Sequence, residues 1–131
     1  MQKKIAKLKT VRILFVEDEE DLRNIISDTL TKLQAQFKTA HNGQVALDLF
    51  KDNQDDFDLI VTDINMPVMN GLELIQNVRD LGSDIPVIIM SAHTEPEYIK
   101  SAEALGVTNY LLKPFDFIKF INLVAELDFD K

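Results

Sequence analysis

The sequence predicts an α/β domain in which a parallel sheet is covered by helices on both faces. Three observations carry this. Five short apolar runs, rich in β-branched and aromatic residues, recur along the chain. Each is followed by a segment whose apolar residues repeat with helical spacing. Finally, 131 residues, 46% of them hydrophobic and 27% charged, suit one globular domain and neither a disordered chain nor a membrane protein. Strands that alternate with helices close as right-handed βαβ crossovers, which put helices above and below the sheet.

Residues 11–16 are nearly all apolar, as a strand buried on both faces must be. From Glu19 the period changes: Leu22, Ile25, Ile26, Thr29, Leu30 and Leu33 fall on one helical stripe. Glu19, Glu20 and Asp21 occupy its first turn, where negative charge favours the helix dipole. Residues 37–40 read as a shorter, more polar strand nearer a sheet edge. Gly43 introduces a helix carrying Val45, Ala46, Leu49 and Phe50. Residues 58–62 form the third strand, and Leu72, Ile75 and Val78 stripe the helix that follows Gly71 and stops at Gly82. Residues 85–90 make the fourth strand, with Pro86 at its entry, where a missing donor costs little. Residues 95–105 give a weaker helix ending at Gly106. Tyr110-Leu111-Leu112 is the last strand, and the last helix follows Pro114. No linker, repeat of solenoid type or low-complexity tract interrupts the pattern.

Residues 1–10 hold the only basic stretch, and the apolar run behind it, Ile13-Leu14-Phe15-Val16, is too short for a signal peptide. No stretch approaches the roughly eighteen apolar residues that span a bilayer. Residues 1–10 therefore read as a solvated leader, ahead of a domain over 11–131, in a cytoplasmic protein. Fourteen Lys and Arg against twenty-two Asp and Glu leave a net charge of −8, which argues against direct nucleic-acid binding. The absence of cysteine excludes disulfides, thiolate zinc centres and cysteine nucleophiles. His41 and His93 read as loop surface, as do Asp55, Asp56 and Asp58.

In an open parallel sheet, ligands bind beyond the carboxyl ends of the strands. The first strand ends in Glu17-Asp18, the third in Asp63 with Asn65 just after, the fourth in Ser91, and the fifth in Lys113-Pro114. If the central strands are neighbours, Glu17, Asp18 and Asp63 converge. Two unit charges about 4 Å apart repel by roughly 4 kcal/mol at an effective dielectric near 20. Protons or a cation must relieve this, and an all-oxygen set without sulfur or imidazole points to a hard divalent ion, Mg²⁺ above all. A carboxylate is also a competent nucleophile towards phosphorus. Lys113 supplies an ammonium and Ser91 a hydroxyl for the charge of a transferred phosphoryl group. Asp63, between the acids and Lys113, is the best nucleophile.

The sequence resembles the receiver domains of two-component response regulators, the CheY-like family. The resemblance is carried by Leu14-Phe15-Val16-Glu17-Asp18-Glu19, by Val61-Thr62-Asp63-Ile64-Asn65-Met66-Pro67 with Asn70-Gly71, by Met90-Ser91-Ala92, and by Tyr110-Leu111-Leu112-Lys113-Pro114-Phe115. It implies a flavodoxin-like (βα)5 sheet of order 2-1-3-4-5. It also implies a phosphoryl group received on Asp63 from a sensor histidine kinase, a phosphotransfer protein or a small phosphodonor. Mg²⁺, with Mn²⁺ able to substitute, would be held by Asp18, Asp63 and the main-chain carbonyl of Asn65, with Glu17 acting mostly through water. Lys113 would bridge to the acyl phosphate, and the Lys113–Pro114 bond is expected to be cis. Two departures are mild: Glu17 stands where many relatives have Asp, and Ser91 where many have Thr.

By the same resemblance, Ser91 moves inward on phosphorylation and Tyr110 rotates into the vacated space. The change is read on the face formed by the fourth helix, fifth strand and fifth helix by a downstream protein, a fused output domain or a second copy of the domain. The last helix has two apolar stripes. Phe117, Ile118, Ile121, Val124 and Ala125 suit the core, while Phe120, Leu123 and Leu127 form a second stripe expected to face solvent and a partner. The site would catalyse its own phosphorylation and hydrolysis without turning over a dedicated substrate. A flavin carrier on this fold would need a Ser/Thr/Gly-rich phosphate loop where the acids stand. An aspartate-nucleophile phosphatase would need an acid where Asn65 stands. A phosphate-independent scaffold is the remaining alternative.

Overall fold

The computed structural model describes residues 1–91, 96–113, 116–127 and 129. The helix α1 (Gln2–Thr10) precedes strand β1 (Arg12–Val16), followed by α2 (Glu20–Lys32), β2 (Gln36–Ala40) and α3 (Gly43–Asp52). After a single 3-10 turn (Gln54–Asp56) come β3 (Leu59–Asp63), α4 (Gly71–Asp80), β4 (Val87–Ser91), α5 (Pro96–Ala104), β5 (Asn109–Leu112) and α6 (Phe117–Glu126). The five strands are parallel and lie in the order β2-β1-β3-β4-β5, as expected.

The strands' period of two divides the core into two layers. Leu14, Val16, Ile60 and Ile89 point to α3, α4 and α5, where they meet Ala46, Phe50, Leu74, Ile75, Val78 and Ala102. Ile13, Phe15, Leu59, Val61 and Ile88 point the other way, to Ile26 and Leu30 of α2 and to Phe120, Ile121 and Val124 of α6. Every residue of β3 and β4 is buried, whereas β2 alternates and forms an edge.

Residues 1–10 are not a solvated leader. They form α1, which packs along α6 and buries Leu8 completely, with Ile5 half-buried beside it. The physical reason is a short i, i+3 apolar pair laid on the flank of α6, reinforced by polar links. Lys7 donates its ammonium to the carbonyls of Ala125 (2.8 Å) and Leu127, at the C-terminal end of α6 where the dipole favours a cation. Lys4 donates to Asn122 Oδ1 (2.8 Å), and the Lys7 ammonium sits 5.4 Å from the centre of the Phe129 ring.

The docking face of α6 also differs from the one expected. Phe120, expected to face a partner, is fully buried, and Leu123 and Leu127 are half-buried. Ile118, expected in the core, is 61% exposed. The helix is rotated so that Phe120, Ile121 and Val124 face the sheet. Ile25 of α2 likewise lies 58% exposed, outside the buried line of Ile26 and Leu30. His41 is exposed as expected, whereas His93 and Pro114, with its peptide bond, lie outside the described residues.

Candidate functional site

The carboxyl ends of β1 and β3 are neighbours in the sheet, which brings the acids that follow β1 beside the last residue of β3. Glu17 extends the ladder by one step, its N–H donating to the Ala40 carbonyl at 3.0 Å. Its side chain is fully buried and Asp63 nearly so, while Asp18 is exposed. One oxygen each of Glu17, Asp18 and Asp63 lies within 4.8 Å of the others. Lys113, just past β5, reaches across and donates to Asp63 Oδ2 (2.7 Å) and Glu17 Oε1 (2.8 Å). Three carboxylates against one ammonium leave two negative charges, which a divalent cation cancels. The donor set is all oxygen, so the residues fit Mg²⁺.

The second oxygen of each buried carboxylate is held by a main-chain donor. Asp63 Oδ1 accepts from the Ile64 N–H at 2.7 Å, and Glu17 Oε2 accepts from the Glu19 N–H at 3.1 Å. Burial pushes the Glu17 carboxyl up from its ordinary value. Its bonds to Lys113 and Glu19 pull the other way, and the charge of Asp63 adds to the rise. Burial alone lowers the Lys113 ammonium, but its bonds to Asp63 and Glu17 outweigh this and leave it raised.

Residues 64–70 carry the chain from β3 to α4. Gly71 closes this loop, donating its N–H to the Ile64 carbonyl at 2.8 Å. A Cβ at position 71 would lie 2.1 Å from the Asp63 carbonyl oxygen, so only glycine permits the closure. Asn70 and Glu73 then cap α4 reciprocally. Asn65 is exposed in the loop, two residues after Asp63.

Ser91 ends β4, one residue beyond the partner of Asp63, and is buried. Its carbonyl accepts from the Lys113 N–H at 2.9 Å, which ties the end of β4 to the lysine. Tyr110 is half-buried on β5, with its hydroxyl donating to the Ile99 carbonyl of α5 at 3.3 Å. A groove of about 310 Å³ runs between β5 and α6, lined by Tyr110, Leu112, Lys119, Leu123 and Glu126 among others. Of the expected partner residues, Leu123 thus lines a surface groove, whereas Phe120 is buried in the core.

One supporting residue escaped sequence reasoning. Arg23 on α2 donates to the Glu17 carbonyl at 2.9 Å, holding the acidic turn in place. A lone arginine on a polar helix face carries no signal that could have found it.

The model of the response regulator receiver domain family matches residues 13–125. The chain belongs to this family. A chemotaxis protein CheY homolog of Campylobacter jejuni is 38% identical over 108 residues, covering 80% of this chain and 82% of that protein. The two-component response regulator ARR10 of Arabidopsis thaliana is 38% identical over 104 residues, 79% of this chain but 19% of the plant protein. The receiver domain thus spans about a fifth of the length of such regulators. Among solved structures, the response regulator TrrA of Thermotoga maritima in complex with Mg²⁺-BeF superposes with a TM-score of 0.76 at 30% identity. It covers 88% of this chain and 97% of TrrA. Among the described residues, no helix is long and apolar enough to cross a membrane.

Proposed function

We propose that Asp63 accepts a phosphoryl group from a histidine kinase, a phosphotransfer protein or a small phosphodonor, with Mg²⁺ held by Asp18, Asp63, the Asn65 carbonyl and, through water, Glu17. The observation that carries this reading is the Asp63 carboxylate, gathered with two other acids within 4.8 Å and paired with Lys113 at 2.7 Å. In the transfer, an Asp63 oxygen attacks phosphorus. An O–P bond forms, the bond from phosphorus to the donor breaks, and its electron pair leaves with the donor. The cation, when bound, neutralises charge on the phosphoryl oxygens. Lys113 balances the charge on Asp63 and the incoming group, and the Ile64 N–H keeps the second carboxylate oxygen oriented. Hydrolysis at the same site returns the free carboxylate, so no dedicated substrate is turned over.

Ser91 and Tyr110 carry the state outward, and the face built from α5, β5 and α6 delivers it to a partner, an output domain or a second copy in the cytoplasm. In this chain that face is the groove containing Leu112 and Leu123. Incubation with acetyl phosphate and Mg²⁺ is expected to raise the intact mass by one phosphoryl group. Omission of Mg²⁺ or the substitution Asp63→Asn should each prevent the rise. An unchanged mass for the native protein would leave a phosphate-independent scaffold as the reading.

A further inference from the structure

Gly43 opens α3 and meets the loop 64–70 at Met69, outside the site described above. Its N–H donates to the Met69 carbonyl at 3.1 Å. A Cβ at position 43 would stand 2.5 Å from that carbonyl oxygen and 2.9 Å from Met69 Cγ, closer than real atoms approach. The next residue back in the loop, Val68, is strained. It is β-branched and 79% exposed, yet it has φ of +72°, in a tight turn where the Met69 N–H donates to the Pro67 carbonyl at 2.8 Å. Such a conformation persists only when its surroundings over-determine it. Gly71 fixes the exit of the loop, and the contact between Gly43 and Met69 fixes the segment just after the strained residue.

We propose that Gly43 is a positioning residue for the cation. By seating Met69 against the start of α3, it holds the strained turn at Val68 and so fixes the path of the loop 64–70, which carries Asn65, the residue whose carbonyl the proposed function assigns to the cation. A side chain at position 43 must push Met69 outward. The turn then loses its support, Val68 relaxes, and Asn65 is drawn away with it. The inference rests on the Mg²⁺ reading proposed above. If the native protein takes up no Mg²⁺, that reading fails; the test below applies once native uptake has been measured.

Mg²⁺ titration of Gly43→Ala, followed by calorimetry and by the Mg²⁺ dependence of acetyl-phosphate labelling, is the direct experiment. The expected result is a Kd raised about tenfold, the scale of lost second-layer support at metal sites, with labelling at saturating Mg²⁺ within about twofold of native. Adding Val68→Gly should bring the Kd back towards native, because glycine adopts positive φ without strain and keeps the turn unaided. A folded Gly43→Ala protein with native Kd would overturn the proposal, and so would a loss that Val68→Gly leaves untouched. Should Gly43→Ala fail to fold, hydrogen exchange on the native protein decides. Coupling is reciprocal, so Mg²⁺ should slow exchange of the Gly43 amide, and an unaffected amide would refute the link.

Discussion

Among the described residues, the cation paired with the buried carboxylates is Lys113, shared between Glu17 and Asp63. Asp18 therefore adds its charge to a cluster already in surplus, with an oxygen within 4.8 Å of the other two. Replacing Asp18 by Asn keeps the shape of the side chain and removes that repulsion. The metal-free protein should become more stable by on the order of 1 kcal/mol, or about 3–6 °C in a thermal melt. The same variant should bind Mg²⁺ far more weakly, so stability and affinity move in opposite directions. The titration of the site has a definite sign. Glu17 is raised in the folded state, so the folded protein holds that proton more tightly than the unfolded chain does. Its contribution favours folding below about 4.5 and is lost as pH rises through the folded value. Lys113, also raised, contributes at all pH values below about 10.5 and loses its contribution only as pH climbs through its own folded value. Melts in EDTA should accordingly show the contribution of Glu17 growing as pH falls from neutrality towards 4.5, as the difference between native protein and Glu17→Gln. Mg²⁺ needs the ionised carboxylate, so its affinity should weaken over the same interval.

At the scale of elements, α1 and α6 are where packing departed from pattern. Leu8 is fully buried against α6, and truncating it to Ala should cost about 2–5 kcal/mol in urea denaturation. A leader in water would tolerate the change at almost no cost. Phe120→Ala should cost about 3–5 kcal/mol for the same reason, where a partner-facing residue would leave stability nearly unchanged. The strands and the acids were legible because each signal is local. β3 and β4 open with the apolar runs Leu59-Ile60-Val61 and Val87-Ile88-Ile89-Met90, and Glu17, Asp18, Asp63 and Lys113 stand at strand ends that the parallel order gathers on one side of the sheet. The fate of Phe120 was not local. Two apolar stripes compete on α6, and which one faces the sheet depends on how the helix docks. Likewise, the apolar face of α1 is only Ile5 and Leu8 in a run of lysines, too narrow to mark a packed helix until α6 is set beside it. Gly43 and Arg23 were illegible for the same reason: what they touch lies on another element.

The whole domain carries eight more negative charges than positive ones, and part of that excess is gathered at the carboxyl ends of β1 and β3. Two kinds of relief are then available, and they are separable. Monovalent salt screens exposed charges over about 8–10 Å at physiological ionic strength, wherever they sit, but reaches buried pairs poorly. A divalent ion bound among Glu17, Asp18 and Asp63 acts only there, and it stabilises the folded state by mass action, by about 2.7 kcal/mol at a hundred times its Kd. For a domain of this size, that corresponds to a rise on the order of 10 °C. Melts in MgCl₂ should therefore exceed melts in NaCl at matched ionic strength by roughly this amount. In Asp18→Asn the MgCl₂ curve should fall back onto the NaCl curve. Equal effects of the two salts on the native protein would place the repulsion across the general surface rather than at the carboxyl ends of β1 and β3, and the cation would then have no specific seat in this fold.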